Sequence, residues 1–382
     1  SGAIATTFLI GGWLRSAFGA MHQLNPLDPC LTLEKLAMKK TLIALAALAA
    51  TGAFAQSSVQ ITGGLDAGFH SYNYKGNKVS GIAGNGASTS ALFVKGTEDL
   101  GGGLKANFLV ETDWNVVSGK GNTGATGSTS ATAATSSFGN GEIKLGLAGG
   151  FGNLELGSPN YNSLYSHLTG QHFGTAIGSG FSAVSARLVR AENAVKYTTP
   201  TMSGFNAVVY KSNKQNTVTS TDFNATIGAY AQTGVQEVGF AYANGPLAAN
   251  FTNLKQETAA GVETTYNTLG ANYALGAAKL FALYQTTKSG TATDNTYTAV
   301  SATYPVGGVT LMAQVGSFEN KAGQKSSLTG LGADYALSKR TTAYARYETI
   351  NDKAGVAAIT GFTAVGSDVT RARTAVGVRH AF

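Results

Sequence analysis

Charged residues are scarce in this sequence. Asp, Glu, Lys and Arg together make up 12% of it, about half of the ~25% that is usual in soluble domains. The sequence also has only six prolines and a single cysteine, Cys30. No segment supplies the ~20 consecutive apolar residues that a transmembrane helix needs. These absences exclude a heavily charged soluble surface, a disulfide framework and a helical membrane protein.

Glycine, by contrast, is abundant, with 50 of 382 residues, and the mean hydropathy is close to zero at +0.02. A transmembrane β-barrel produces such averages because apolar residues that face lipid alternate with polar residues that face the interior. The composition therefore favours a membrane protein built from strands.

Residues 38–55 contain the three parts of a secretory signal peptide. Met38-Lys39-Lys40 is the basic part, 42–50 is a short apolar stretch, and Ala53-Phe54-Ala55 is the cleavage site. We predict a mature start at Gln56 and a barrel over 56–382. The removed segment holds four basic and two acidic residues, so the net charge falls from +7 to +5.

Residues 1–37 precede this signal and fit no structural pattern. We interpret them as an over-extended gene start. A second targeting segment around 8–20 is the alternative, although Arg15 interrupts it.

The dominant period in the remaining chain is two. In 59–69, Val59, Ile61 and Phe69 share one face, while Asp66 lies on the other. The segment 104–116 alternates in the same way over seven residues to a face. This spacing predicts strands rather than helices, and the strands are longer than those of a usual β-sandwich.

Turn residues divide the chain into strands of this kind. Short turns are predicted at 98–103, 149–152, 199–204, 244–246, 274–277, 305–308 and 336–339. Longer loops are predicted near 75–87, 118–137, 159–193, 212–222, 258–264, 288–295, 318–326 and 350–368. Fifteen connections join sixteen strands, although the stretch 222–243 is less clear than the others. Short turns at one end and long loops at the other are typical of an outer-membrane barrel.

The longest loop, 159–193, carries many apolar side chains, among them Tyr161, Leu164, Phe173 and Ile177. We expect such a loop to bury these apolar side chains against another part of the protein. Folding into the barrel interior would bury them, and packing on neighbouring external loops is the alternative. The loop 118–137 is almost all Gly, Ser, Thr, Ala and Asn, which cannot bury enough apolar area to hold one structure.

The last strand ends at the final residue, Phe382. Alternation places Phe382 and Val378 on one face, and Arg371, Arg373 and Arg379 on the other. An arginine that faces lipid at mid-membrane costs about 2–4 kcal/mol, so the arginine face must be the interior.

Several stretches resemble the general trimeric porins of Gram-negative bacteria, especially the β-proteobacterial branch. The most specific is Lys95-Gly96-Thr97-Glu98-Asp99-Leu100-Gly101-Gly102-Gly103-Leu104-Lys105-Ala106. It is followed in order by 150–157, 193–200 with Gly204-Phe205, 244–247 and the terminal Phe382. The resemblance covers the whole chain from the signal peptide onward.

This resemblance implies an all-β fold: a 16-stranded antiparallel transmembrane β-barrel with the long third loop, 159–193, folded into the lumen. It also implies a homotrimer, and it implies that Phe382 is read by the barrel-insertion machinery. The chain departs from the family where three constriction arginines usually stand. Here those places read Thr89-Ser90-Ala91-Leu92-Phe93, Asn140-Gly141 and Ser158, which puts the family's anion preference in doubt.

Selectivity in such a channel comes from charged side chains that line the lumen. The alternation and the inward loop predict the following set: Lys105, Glu111, Asp113, Arg187, Arg190, Glu192, Arg346, Glu348, Arg371 and Arg373. Nearly opposed basic and acidic walls and a mature charge of +5 predict weak anion selectivity. Alternatively, many of these charges lie at the wide mouths, where salt screens them within about 8 Å.

We therefore expect a general diffusion porin of the outer membrane, with small hydrophilic solutes, ions, lipid and lipopolysaccharide as its partners. A substrate-specific channel for a small organic solute is the alternative. The sequence indicates no enzyme, because it holds no G-x-S-x-G motif, and it indicates no cofactor and no nucleic-acid partner. His167 and His172 are five residues apart, which is not a convincing metal spacing.

Overall fold

Long antiparallel strands form most of the protein. The computed structural model describes residues 58–74, 77–121, 138–180, 185, 189–212, 234–257, 261–352, 355 and 370–382. These residues contain eighteen strands and one helix, in the following order: β1 (Ser58–Tyr74), β2 (Asn77–Gly84), β3 (Ala91–Gly101), β4 (Leu104–Asn115), β5 (Lys120–Gly121), β6 (Ile143–Gly149), β7 (Gly152–Ser158), α1 (Asn162–Gly170), β8 (Ala194–Thr198), β9 (Phe205–Ser212), β10 (Gly234–Asn244), β11 (Leu247–Glu257), β12 (Glu263–Leu275), β13 (Ala278–Ser289), β14 (Thr293–Val306), β15 (Val309–Glu319), β16 (Lys325–Ala336), β17 (Thr341–Asn351) and β18 (Arg371–Ala381). The predicted signal peptide and the segment 1–37 lie outside the described residues.

The sheet closes on itself. Strand β1 pairs with β18 from Gly64↔Ala381 to Tyr74↔Arg371, and each neighbouring pair around the sheet is antiparallel. The backbone of Phe382 continues this seam, because it exchanges hydrogen bonds of 3.0 and 3.1 Å with Gly63. Closure pairs the edge strands with each other and so leaves no open sheet edge.

Within the described residues, the eighteen strands occupy sixteen positions in the barrel. Strands β2 and β3 pair with different parts of β1 and share one position. The two-residue β5 pairs only with β4 and extends its end. This confirms the predicted 16-stranded antiparallel barrel, a size that leaves an aqueous channel in its centre.

The two faces of the wall follow the predicted alternation. Val59, Ile61 and Phe69 are 65%, 66% and 51% exposed on the outside, whereas Asp66 and His70 are buried on the inside. At the other end of the chain, Val376, Val378 and Phe382 point outward, while Arg371 is buried. The outer surface is therefore an apolar band, as lipid requires.

The seven short turns are confirmed. They join consecutive strands at 102–103, 150–151, 199–204, 245–246, 276–277, 307–308 and 337–340. We call this side of the barrel the turn end and the opposite side the loop end. At the loop end, the connections 258–262, 290–292 and 320–324 are shorter than predicted because the strands continue further. Among the described residues, no helix has the length and apolarity to span a membrane.

The prediction of a long loop at 75–87 is wrong. Strand β2 occupies 77–84, and among the described residues of this stretch the chain leaves the sheet between Gly84 and Ala91. Asn, Lys, Ser and Gly dominate this stretch, so its side chains do not show the apolar alternation of a strand. Pairing to β1 nevertheless forms it, from Ala67↔Gly84 to Tyr74↔Asn77.

The described residues of the third loop, 159–180, 185 and 189–193, lie inside the barrel, as predicted; we call them the inward loop. Its helix α1 packs on the inner faces of β10 to β13. Glycines on the wall make room for it. A Cβ at Gly270 would lie 1.7 Å from the carbonyl oxygen of Ser166, and one at Gly330 would lie 2.2 Å from that of Gly178. The loop therefore contacts the wall backbone to backbone at two points.

Candidate functional site

A buried carboxylate of the barrel wall holds the start of helix α1. The N-cap residue Tyr161 makes no side-chain capping bond. Instead, Glu237 on β10 accepts the backbone N–H groups of Asn162 at 2.6 Å and Ser163 at 2.7 Å. Glu237 is only 1% exposed. A negative charge at a helix N-terminus is favourable because the first N–H groups have no partner within the helix.

Amide and hydroxyl groups extend this attachment along the helix. The side chain of Asn162 donates to Asn250 Oδ1 at 2.8 Å, and Ser166 Oγ donates to the same oxygen at 3.0 Å. Further along, Asn272 Nδ2 donates to the carbonyl of Thr169 at 2.8 Å. Three inward-facing wall positions thus fix α1 against β10, β11 and β12.

A second buried carboxylate holds the tip of the inward loop. Oε2 of Glu348 accepts the backbone N–H groups of Gly178 and Gly180, each at 3.0 Å. Oε1 of the same residue contacts Arg371 Nη2 at 3.2 Å and Arg373 Nη2 at 2.7 Å. Glu348 is fully buried. It therefore joins the loop to β17 and β18 and offsets one of the two arginine charges.

Glu348 lies on the same wall as the arginines and pairs with them, so this wall is not purely basic. Arg371, Arg373 and Glu348 lie on one wall, with Arg373 directly across from Glu348 in the strand register. Arg346, on the same wall, is buried and pairs with Asp334 at 2.7 Å. The four predicted residues of β17 and β18 are therefore an ion-paired patch on the inward face.

The acidic residues of β4 lie on the inward face of another part of the wall. Oε2 of Glu111 accepts the backbone N–H of Glu142 at 2.8 Å. The buried Glu142 pairs with Lys144 at 3.0 Å, and Lys144 also reaches Glu155 at 2.8 Å. Asp113 is buried next to this group. The acidic patch thus includes a lysine that pairs with two of its carboxylates.

The returning part of the inward loop meets this acidic patch. Arg190 is buried and donates through Nη2 to the carbonyl of Asn140 at 2.5 Å. Lys196 on β8 donates to the carbonyl of Asn160 at 2.8 Å and lies 5.0 Å from the centre of the Tyr165 ring. Burial raises the pKa of the Tyr165 hydroxyl to about 12, so this side chain stays neutral.

The remaining predicted residues lie apart from these two patches. Lys105 is exposed at the turn end, one residue after the start of β4, and Glu192 is exposed near the base of the inward loop. Arg187 lies outside the described residues. The structure therefore brings together Arg371, Arg373 and Glu348, and separately Glu111, Asp113 and Arg190.

Three inward-facing residues were not in the predicted set: Glu237, Lys95 and Lys279. Lys95 is opposite the inward-facing Gln60 in the register of β1 and β3, and Lys279 is opposite the buried Thr303. Both lysines are exposed. Their alternation within β3 and β13 is the signal that could have identified them.

The two histidines of the inward loop have different surroundings. His167 is fully buried in α1, where Nδ1 lies 3.0 Å from the carbonyl of Ser163, and burial lowers its pKa to about 4. His172 is exposed beside the ring of Phe281, at 5.6 Å between ring centres. Burial of part of its ring also lowers its pKa.

Comparison with known proteins agrees with this geometry. Outer membrane porin protein 32 of Delftia acidovorans is 37% identical over 267 residues, which are 66% of this chain and 70% of that protein. The solved anion-selective porin from Comamonas acidovorans is 27% identical with a TM-score of 0.68, covering 86% of this chain and 100% of the other.

A more distant solved structure, OmpT of Vibrio cholerae in a trimer form, has the same fold. It is 16% identical with a TM-score of 0.59 and covers 85% of this chain and 99% of its own. The Gram-negative porin family matches residues 41–355. A closed 16-stranded barrel with a loop attached inside it, together with these matches, shows that the chain belongs to the Gram-negative porin family and is an outer membrane protein.

Proposed function

We propose that this porin is a general diffusion channel with weak anion selectivity, and that solutes cross it without any chemical step. The size of the barrel supports passage by diffusion, because sixteen strands leave an aqueous interior. The solved porin from Comamonas acidovorans is described as anion-selective.

The observation that carries the proposed selectivity is that two inward-facing lysines are exposed while three inward-facing carboxylates are fully buried. Asp66, Glu237 and Glu348 are at most 1% exposed, and each accepts backbone N–H groups. Lys95 and Lys279 are exposed on the inward face, and within the described residues neither forms an ion pair. A passing ion therefore meets uncompensated positive charge first, and charges that line a pore set its preference.

Lys95 also borders open space. Together with Lys144, Gln60, Thr97 and Asn107 it lines a recess of ≈ 440 Å³ at the turn end of the barrel. This volume leaves room for a hydrated anion beside the ammonium group. Arg371 and Arg373 add less to the anion selectivity than two arginines without an ion-pair partner would, because Glu348 offsets one of their two charges.

The test is the reversal potential of the purified protein in a planar bilayer under a KCl gradient. We expect a chloride-directed potential for the wild type. A Lys95→Gln, Lys279→Gln double variant should move the potential toward potassium. Lys288→Gln is the matched control, because Lys288 is exposed at the loop end and pairs with Asp294 at 3.5 Å.

Two results would overturn the proposal. A potassium-directed wild-type potential would reverse the sign of the selectivity, and a double variant equal to the Lys288 control would remove these lysines from it. A folded barrel that conducts no ions would overturn the diffusion channel itself and favour the substrate-specific alternative.

We also propose that the functional unit is a homotrimer that contacts lipid and lipopolysaccharide. The resemblance to the general trimeric porins supports the trimer, and the apolar outer band supports the lipid contact. Conductance that appears in groups of three equal steps, together with a native mass of three chains, is the expected result. Single steps from a monomeric species would contradict it.

A further inference from the structure

We propose that the segment between β2 and β3, residues 85–90, is a second constricting element of the channel, and that Asp66 is the residue that positions it. We call these residues the strand break. The proposal rests on the proposed diffusion function. It adds a part of the chain that comes from the second strand position rather than from the inward loop.

The strand break leaves the barrel wall toward the interior. Pairing of β1 with β2 stops at Ala67↔Gly84, and pairing with β3 starts at Gly64↔Ala91. Six residues therefore stand against the two residues 65 and 66 of β1, far more than the one extra residue of an ordinary β-bulge. The segment begins at Asn85, whose φ is 63°, a conformation that asparagine tolerates better than most residues.

One carboxylate replaces the strand pairing that is lost. Oδ2 of Asp66 accepts the backbone N–H groups of Ala87 at 2.7 Å and Ser88 at 2.6 Å, and Oδ1 receives that of Gly86 at 3.4 Å. The hydroxyl of Tyr344, from the far side of the seam, donates to Oδ1 at 2.6 Å. Hydrogen bonds to a charged acceptor are about twice as strong as neutral ones, so Asp66 is a strong anchor.

The strand break braces the tip of the inward loop. The backbone N–H of Ile177 donates to the carbonyl of Gly86 at 3.3 Å. Ile177, Tyr344 and Ala375 form a buried apolar cluster, and Ala87 packs against it. The tip is therefore held from two sides: by Glu348 on β17 and by the strand break on β2 and β3.

The outer edge of the strand break remains in contact with water. Ala87, Ser88 and Thr89 are half-buried, whereas Gly86 and Ser90 are buried. Because Asp66 and Tyr344 are inward-facing wall residues, this edge faces the lumen. Solutes that pass the tip of the inward loop therefore pass residues 87–89 as well, and these residues limit the cross-section.

Single-cysteine labelling tests whether the strand break lines the conducting path. Cys30, the single cysteine of the sequence, precedes the predicted cleavage site, so the mature protein provides a cysteine-free background. Ser88→Cys is treated with a negatively charged thiosulfonate reagent while single-channel current is recorded, and labelling is counted by mass spectrometry. Ser338→Cys, exposed in a short turn, is the control.

We expect labelling of Ser88→Cys to lower the single-channel conductance, and labelling of Ser338→Cys to leave it unchanged. A fully labelled Ser88→Cys channel with unchanged current would overturn the proposal. A cysteine at 88 that does not react at all would also overturn it, because the strand break would then not face the water path.

A second pair of variants tests the positioning role of Asp66. Asp66→Ala should raise the conductance and admit neutral sugars that the wild type excludes, because the strand break is no longer held against the loop tip. Asp99→Ala is the control, since Asp99 also accepts a backbone N–H, that of Gly101 at 2.9 Å, but in a short turn.

Tyr344→Phe keeps the strand and removes one hydrogen bond of Asp66, so it should shift the sugar cut-off in the same direction by a smaller amount. If Asp66→Ala does not fold, this variant decides the question. Equal cut-offs for Tyr344→Phe and wild type would overturn the positioning role. A wild-type barrel without conductance would instead refute the diffusion function on which the proposal rests.

Discussion

Replacing Glu348 with glutamine is expected to destabilise the constriction and to strengthen chloride preference. Both backbone N–H groups of the loop tip point at Oε2, and both guanidinium groups point at Oε1. Glutamine has one carbonyl oxygen, so it can satisfy only one of these two sets. Its amide nitrogen must then face either two N–H groups or two arginines.

The size of the effect follows from burial. Removing one partner of a buried ion pair costs about 3–5 kcal/mol. The side chain of Glu348 is 0% exposed, but that of Arg373 is 18% exposed, so water can relieve part of the loss. We therefore expect a decrease of about 3 kcal/mol in the free energy of unfolding, measured by urea titration of the barrel in lipid vesicles. The reversal potential should move toward chloride, because the lumen loses one negative charge.

The matched control is Glu319→Gln. Glu319 pairs with Lys325 at 3.3 Å, and its side chain is 44% exposed, so its loss should cost at most about 1 kcal/mol. If Glu348→Gln equals this control in both unfolding free energy and reversal potential, Glu348 does not act as a buried carboxylate shared by the loop tip and the two arginines.

Three further predictions concern the barrel wall, the inward loop and the signal peptide. Gly270→Ala should displace helix α1 and raise the conductance, because its Cβ would lie 1.7 Å from a backbone oxygen, whereas Gly81→Ala, with no atom within 4 Å, should match wild type in the same recording. The pKa of His167 is lowered to about 4 by burial, against about 6.5 in an unfolded chain. The unfolded chain therefore takes up a proton first as the pH falls, and stability should decrease by about 3 kcal/mol between pH 6.5 and 4; a urea titration series should show this slope reduced in His167→Gln, and an unchanged slope would contradict it. Mass spectrometry of the exported protein should place its first residue at Gln56, and a fragment that still contains Ala55 would disprove the cleavage site.

Alternation and turn residues were sufficient to predict most of the barrel. The seven short turns depend on local Gly, Pro and Asn residues, so they could be located without any tertiary information. The inward position of Arg371 followed from the cost of placing a charge in lipid. Strand β2 escaped prediction because its partner β1, rather than its own side chains, determines its conformation.

The electrostatic arrangement inside the barrel could not be predicted in the same way. Alternation places Glu348 and Arg373 on the inward face, but it does not show that they are direct neighbours. Their pairing depends on the register between β17 and β18, which the long connection between these strands leaves undetermined in the sequence. Glu237 lies in 222–243, the stretch with the least clear strand pattern, so its attachment to α1 had no local signal.

The positions of the two anchoring carboxylates have a consequence for assembly. Glu237 is 75 residues from the N–H group it binds in Asn162, and Glu348 is 170 residues from the N–H group it binds in Gly178. Contacts across such separations form late, since the intervening chain must first be ordered. The tip of the inward loop can therefore attach only after β17 is in place. The channel acquires its full size limit as one of the last steps of folding.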